Sequence, residues 1–272
     1  AWESVHWSVA LNAAEEVPDT DFPQRLRERF GHNTVACLVF EGGNLHDATT
    51  LALIPARKGK ANFRIDCQGK AAHAGSVHKR GASAIRQLAR CIDQLEALTD
   101  YDREGTVNVG KIGGGQNLNR VPDHAWAEGE LRAFDADVFQ YLVTGVKSLQ
   151  GTSHVAAAEG GYRAITEVRL EETSPPWSET TGTAQLLHCC GKAAAAMGFR
   201  LRKEPRGGVS DANFTAQSVP TLDGFGWGGG NAHCSVQTAD GSREQEYVRR
   251  SWLEPKALHG CLCCLELAGF PV

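Results

Sequence analysis

The sequence has no basic excess, no long apolar run and no paired cysteine–histidine spacing, and each absence removes a class of function. Lys and Arg number 28 against 32 Asp and Glu, a formal net charge of −4. Such a chain offers no positive field to nucleic acid or to an anionic membrane surface. Apolar stretches such as VACLVF and CLCCLELAGF are too short to span a bilayer. The opening residues AWESVHWSVALN lack the basic region and small-residue cleavage site of a secretory signal. Nine cysteines, an odd number scattered in apolar contexts, read as reduced thiols of a cytoplasmic protein and not as a disulfide framework. Cys261, Cys263 and Cys264 sit in the helical pattern HGCLCCLELAG, where free cysteine acts as a small hydrophobe. GGVSDAN and GWGGGN are glycine loops without the strand–GxGxxG–helix order or a Walker lysine, so a phosphate cradle is not expected. Internal repeats and low-complexity tracts are also lacking.

What is present is ordinary globular composition, 42% hydrophobic and 22% charged over 272 residues, enough for one large domain or two smaller ones. Residues 5–11 read as a buried strand, DFPQRLRERF as a helix started by Asp21, and TVACLVFEGG as a second buried strand. Strand, helix, strand is the signature of a parallel unit, in which ligands sit beyond the carboxyl ends of the strands. Glu15 and Glu16 follow the first strand and Glu41 closes the second, so topology places three carboxylates on one edge. From about residue 60 the pattern becomes strand, helix, strand, strand, helix, strand, the ferredoxin-like order. Its first helix carries Ile85, Leu88, Ile92, Leu95 and Leu98 at helical spacing. TSPPWS then punctuates the chain, and a helix, glycine-rich loops, the apolar segment VPTLDGF and a final helix follow. The expected organisation is an α/β domain in two segments, 1–59 and 172–272, around an α+β insert at 60–171. The strand-like start predicts a chain that begins in the middle of its fold.

AAEEV, LVFEGG, ARKGKANFRIDCQGKAAHAGSVHKRGASAI, VNVGKIGGGQNLNRVPDHAWAEGELR, GGVSDANFTAQSVPTLDGFG and GGNAHCSV occur in that order. With them the chain resembles the co-catalytic zinc peptidases and amidohydrolases that include glutamate carboxypeptidase, aminoacylase and succinyl-diaminopimelate desuccinylase, most closely the carboxypeptidase branch. The resemblance implies a zinc-peptidase catalytic domain with an inserted ferredoxin-like dimerisation domain. It implies two zinc ions in the full-length family, with Glu16, Glu41 and His233 as ligands in this chain. Glu15 would act as general base and acid, taking a proton from water whose pKa the metal has lowered. His73 would reach a partner's site and polarise the scissile carbonyl, with Asn119 in the same pocket. Arg132 would bind a substrate carboxylate with its guanidinium fork, and Asp211 and Gly229 would line the substrate pocket. The implied substrate is a small N-acyl amino acid or dipeptide-like molecule, and the implied assembly is a homodimer through the insert.

The chain also departs from that pattern. A histidine in a GHxDT-like motif and an aspartate bridging both metals have no counterpart in the fourteen residues ahead of Glu15. His6 lies within the expected strand, and GHNTV at 31–35 reads as a helix-end loop. Glu16, Glu41 and His233 divided between two metals leave each short of the ligands zinc takes. The expectation is a hydrolase incomplete as this chain. The alternative is an inactive dimeric relative that binds a small amino-acid-like ligand or serves only as an interaction module. Ser174 stands where related chains often carry an arginine before Pro-Pro, and the loop from His233 to Glu246 is longer than usual.

Overall fold

The computed structural model describes residues 5–13, 21–30, 33–43, 45–47, 49–231 and 236–272. Its first elements are α1 (Asp21–Arg29), β1 (Cys37–Leu38), β2 (Leu45–Asp47), β3 (Thr50–Leu53) and β4 (Gly59–Gln68). Then come α2 (Ala84–Glu96), β5 (Thr106–Gly114), β6 (His124–Ala133), α3 (Ala136–Lys147) and β7 (Ile165–Ser174). The chain continues with α4 (Thr181–Ala196), β8 (Arg200–Lys203), α5 (Ala212–Thr215), β9 (Thr221–Leu222) and β10 (Gly229–Gly230). Three short strands, β11 (Val236–Gln237), β12 (Arg243–Glu244) and β13 (Tyr247–Val248), precede α6 (Leu253–Leu267). The elements fall into two compact units: Ala1–Arg57 with Trp177–Val272, and Lys58–Pro176.

The 58–176 unit is a four-stranded antiparallel sheet in the order β5-β6-β4-β7. Period-2 patterning builds it: Ala61, Phe63, Ile65 and Cys67 of β4 are buried in one core with Ala125, Ala127 and Leu131 of β6 and residues of α2 and α3. Lys60, Asn62 and Arg64 alternate with them and are half-buried. Phe63 lies opposite Gly129 across the β4–β6 ladder. A side chain at Gly129 would meet the Phe63 ring and the Asn108 carbonyl, so a strand glycine, normally a weakness, here makes room for an aromatic. Ser83 caps α2, its Oγ accepting from the Arg86 amide at 3.2 Å. Asp135 caps α3, accepting from the amides of Asp137 and Val138, each at 2.9 Å. Such caps satisfy amides that no helical carbonyl reaches. The buried stripe of α2 is Ala84, Leu88, Cys91 and Leu95, one position rotated from the expected one, so Ile85 is exposed while Ile92 and Leu98 are half-buried.

The other unit packs α4 and α6 around Leu53, Leu186, Leu187, Cys190, Ala193, Leu222, Phe225 and Cys263. Strand β1 runs parallel to β9, with Cys37 opposite Thr221 and Leu38 opposite Leu222. Strand β3 runs parallel to β8 and antiparallel to β2. Two sequence expectations fail here. Residues 5–12 form no strand, and Val9 and Leu11 are 85% and 86% exposed. The second expected strand shrinks to Cys37–Leu38, with Val35 and Phe40 exposed. Apolar β-branched sequence becomes strand only where a ladder partner takes its backbone groups. Among the described residues β1 has β9 alone as a partner. Of the three cysteines in α6, Cys263 is buried against His259 at 3.4 Å, Cys264 is half-buried and Cys261 is exposed.

Candidate functional site

Glu41 lies just past β1, and its main chain is fixed from two directions. Its carbonyl accepts from the Gly226 amide at 3.0 Å, and its own amide donates to Asp223 Oδ1 at 3.3 Å. Asp223 is fully buried, following β9 in the apolar stretch VPTLDGF. A buried carboxylate persists only when its oxygens are paired, and here the partners are Arg57 and Ser210. Arg57 reaches Oδ2 with Nε at 2.8 Å and Nη2 at 2.7 Å, and its Nη1 donates to the Gly208 carbonyl at 2.9 Å. Ser210 Oγ donates to the same Oδ2 at 2.9 Å.

The adjoining residue, Asp211, is half-buried. Asn12 Nδ2 donates to both of its carboxylate oxygens, at 3.2 and 3.1 Å. Ser210 and Asn213 close the loop, since the Ser210 amide donates to Asn213 Oδ1 at 3.0 Å and Ser210 Oγ accepts from the Ala212 amide at 3.2 Å. Behind the loop at 224, Lys256 is 3% exposed and donates to the Gly224 carbonyl at 2.5 Å. Burial lowers its pKa to about 8, with Arg206 adding to the effect and Asp223 and Glu204 opposing it.

In the 58–176 unit, the loop after β4 and the loop before β6 are laced together. His73 forms an antiparallel bridge with Arg120, the Ala74 amide donates to the Asn119 carbonyl at 2.9 Å, and the Val121 amide donates to Ala72 at 2.9 Å. His73 and Asn119 are thereby neighbours, and both are exposed. His73 Nδ1 accepts from the Gly75 amide at 3.2 Å. A neutral ring with Nδ1 accepting carries its proton on Nε2, which makes that edge a donor. Arg120 is held by Gln116 and Asp123, each at 2.5 Å.

Arg132 lies on β6 opposite Lys60 and Thr106. Its Nε and Nη2 reach Glu130 Oε1 and Oε2 at 2.7 and 3.1 Å. That pairing holds the Glu130 carboxyl below its usual range. The guanidinium fork thus grips a carboxylate of its own strand. Gly229 sits in β10 opposite Val248 of β13, so close to the Tyr247 carbonyl that a side chain there has no space. Glu15, Glu16 and His233 lie outside the described residues. Among the described residues, no three His, Cys, Asp or Glu side chains gather closely enough to hold a metal ion. Glu41 is the described member of the expected ligand set.

Motif spacing does not single out Arg57, Ser210 and Asp223. The available signal is an aspartate inside an apolar run, VPTLDGF, which implies a buried cation elsewhere. Residue 57 is 166 positions away, so no local pattern connects the two.

Residues 55–171 match the M20 family described as the peptidase dimerisation domain. Over 172 residues the chain is 33% identical to the protein YqjE of Bacillus subtilis, covering 63% of this chain and 44% of that one. It thus spans under half the length of this curated relative. A protein of Aspergillus flavus named as a carboxypeptidase is 35% identical over 98 residues, 32% of this chain and 23% of that protein. Among solved structures, the fold superposes on a dinuclear metal-binding M20 peptidase, YXEP, from Bacillus subtilis with a TM-score of 0.63. The identity there is 17%, covering 94% of this chain and 63% of that one.

Proposed function

We propose that this chain is a member of the M20 peptidase family and serves in hydrolysis of an amide or peptide bond in small N-acyl or aminoacyl amino acids, a reading supported by the dimerisation-domain match and by the carboxypeptidase-named relative. It would do so as a cytoplasmic homodimer joined through its 58–176 unit. The observation that carries the reading is the dimerisation-domain match together with a strand-end carboxylate, Glu41, whose backbone is anchored to a buried Asp223.

The roles follow from residue chemistry. Glu16, Glu41 and His233 are the proposed metal ligands, and the metal, zinc by this reading, would supply Lewis acidity toward the amide carbonyl and toward water. Glu15 takes the proton from the attacking water and delivers it to the departing amine, so the amide nitrogen leaves neutral. In the homodimer, His73 of one protomer would offer Nε2–H, in the active site of the other, to the oxygen on which negative charge develops, and Asn119 would add a second polar contact there. Arg132 is the proposed receptor for the substrate carboxylate, which would compete with Glu130 for the guanidinium fork. Gly229 keeps the pocket wall free of a side chain.

A second reading, a dimeric relative that binds a small ligand without hydrolysing it, is favoured by one observation: Glu130 already occupies Arg132. Hydrolysis of a panel of N-acetyl amino acids and dipeptides by zinc-equilibrated protein separates the two. The hydrolase reading expects turnover that falls about 10²- to 10⁴-fold in Glu15→Gln. Equal rates in the two proteins would exclude it.

A further inference from the structure

We propose that Arg120 is a positioning residue that holds His73 and Asn119 side by side as one preformed pair. The proposal rests on the reading of those two side chains as the groups that meet developing negative charge in the other protomer's active site. Both lie on exposed loops of the 58–176 unit, and Arg120 engages both loops. Its main chain forms the antiparallel bridge to His73. Its guanidinium donates to Gln116 Oε1 through Nη1 and to Asp123 Oδ2 through Nη2, each at 2.5 Å. Gln116 stands ahead of Asn119 and Asp123 stands behind the bridge, so one side chain spans the turn that presents Asn119.

The turn needs such a brace. It is entered through Gly114 and Gly115, at φ values of 150° and 74°, which glycine adopts at little cost and which leave the backbone soft. Residues 114–119 are exposed, and Arg120 is the first after them to be half-buried. The turn closes only through a long bond, the Arg120 amide donating to the Asn117 carbonyl at 3.3 Å. Behind Arg120 the chain is tied more firmly. The Val121 amide donates to Ala72 at 2.9 Å, and the Ala84 and Gly69 amides donate to Pro122 and Asp123, each at 2.8 Å. The guanidinium carries that order forward from Asp123 to Gln116, on the far side of Asn119. One planar fork making both contacts loses less freedom than two separate side chains would. The Ala74 amide donates to the Asn119 carbonyl at 2.9 Å, so slack in 116–120 passes directly to the loop of His73. A donor to developing charge acts through its placement, and displacements near 1 Å cost about 10²-fold in rate.

The test removes the fork in Arg120→Gln and reads two independent quantities. Amide hydrogen exchange at Ala74 and Val121, the two donors of the bridge, is expected to quicken about tenfold while amides within β4 keep their rates. On the substrate panel kcat is expected to fall about 10- to 100-fold, with KM and the dimeric mass unchanged. In a background carrying His73→Ala and Asn119→Ala, the same substitution is expected to cost less than about twofold more, because a residue acting through others has nothing left to place. Unchanged exchange at Ala74 and Val121, or equal quickening throughout β4, would overturn the proposal. So would an undiminished loss of kcat in that background. A raised KM with kcat intact is direct substrate binding by Arg120, and a variant that dissociates gives Arg120 an interface role. Either result overturns the proposal and leaves the hydrolase reading standing. If the unsubstituted protein hydrolyses nothing, the function reading fails, and the exchange rates alone still decide whether Arg120 holds the two loops together.

Discussion

Arg57 clasps Asp223 through two nitrogens, Nε at 2.8 Å and Nη2 at 2.7 Å, on one carboxylate oxygen, and both side chains are shut off from solvent. The pair joins the end of β3's segment to the residue after β9. Through Asp223 it also holds the Glu41 amide and the Ser210 hydroxyl.

Breaking that pair from one side leaves a buried guanidinium with no counter-charge. Asp223→Asn is expected to destabilise the 1–57/177–272 unit by about 3–5 kcal/mol, measured by urea unfolding. The double change Arg57→Met with Asp223→Leu removes both charges and should cost clearly less. If the single and double variants unfold at the same denaturant concentration, burial of the charge is not what makes the pair matter.

His73 is exposed, so its contribution should appear in rate and not in stability. His73→Ala is expected to lower kcat by about 10²- to 10³-fold, the loss typical of one oxyanion donor, with the thermal midpoint unmoved. A variant that melts several degrees lower, with kcat intact, would assign His73 to the loop bridge with Arg120.

Lys256 gives the protein a pH signature. In the folded chain its pKa is about 8 in place of 10.5, so burial disfavours the ammonium. Below pH 8 the lysine is protonated in both states and the folded state bears the full desolvation cost, about 3 kcal/mol for a shift of that size. As pH rises from 8 toward 10.5 the folded state sheds its proton first and the cost fades. Stability relative to Lys256→Met should therefore rise over that interval. A difference that stays flat with pH would contradict the burial of a charged amine.

Phe63→Ala should cost about 3–5 kcal/mol, because the ring fills a fully enclosed site over Gly129 and the cavity cannot collapse against strand backbone. Chemical unfolding of the 58–176 unit reads this directly. A loss below about 1 kcal/mol would mean that the site relaxes.

The 58–176 unit was largely legible in the sequence because its signals are local. Alternation in KANFRIDCQ and helical periodicity each act over a few residues, and they agree with one another. The other unit was less so. Whether SVHWSVAL or VACLVF becomes strand depends on which backbones flank it, and no residue within those runs records that. Residues 5–12 stayed irregular and β1 kept two residues. The site divides the same way. The placing of His73 beside Asn119 follows the order of the motifs that carry them, whereas Glu41 stands three residues past a strand that keeps only Cys37–Leu38. The Arg57–Asp223 pair joins positions that only folding brings together. Arg132 shows the opposite limit: its guanidinium chemistry was plain in the sequence, but the carboxylate it grips, Glu130, is two residues away on the same strand face.

The most direct test of the metal-hydrolase account is zinc retention after equilibration and desalting, measured by mass spectrometry on the protein and on Glu16→Gln. The account predicts that the protein keeps zinc and that Glu16→Gln loses most of it. A protein that keeps none, or a variant that keeps as much, would contradict the assignment of Glu16 to a catalytic metal.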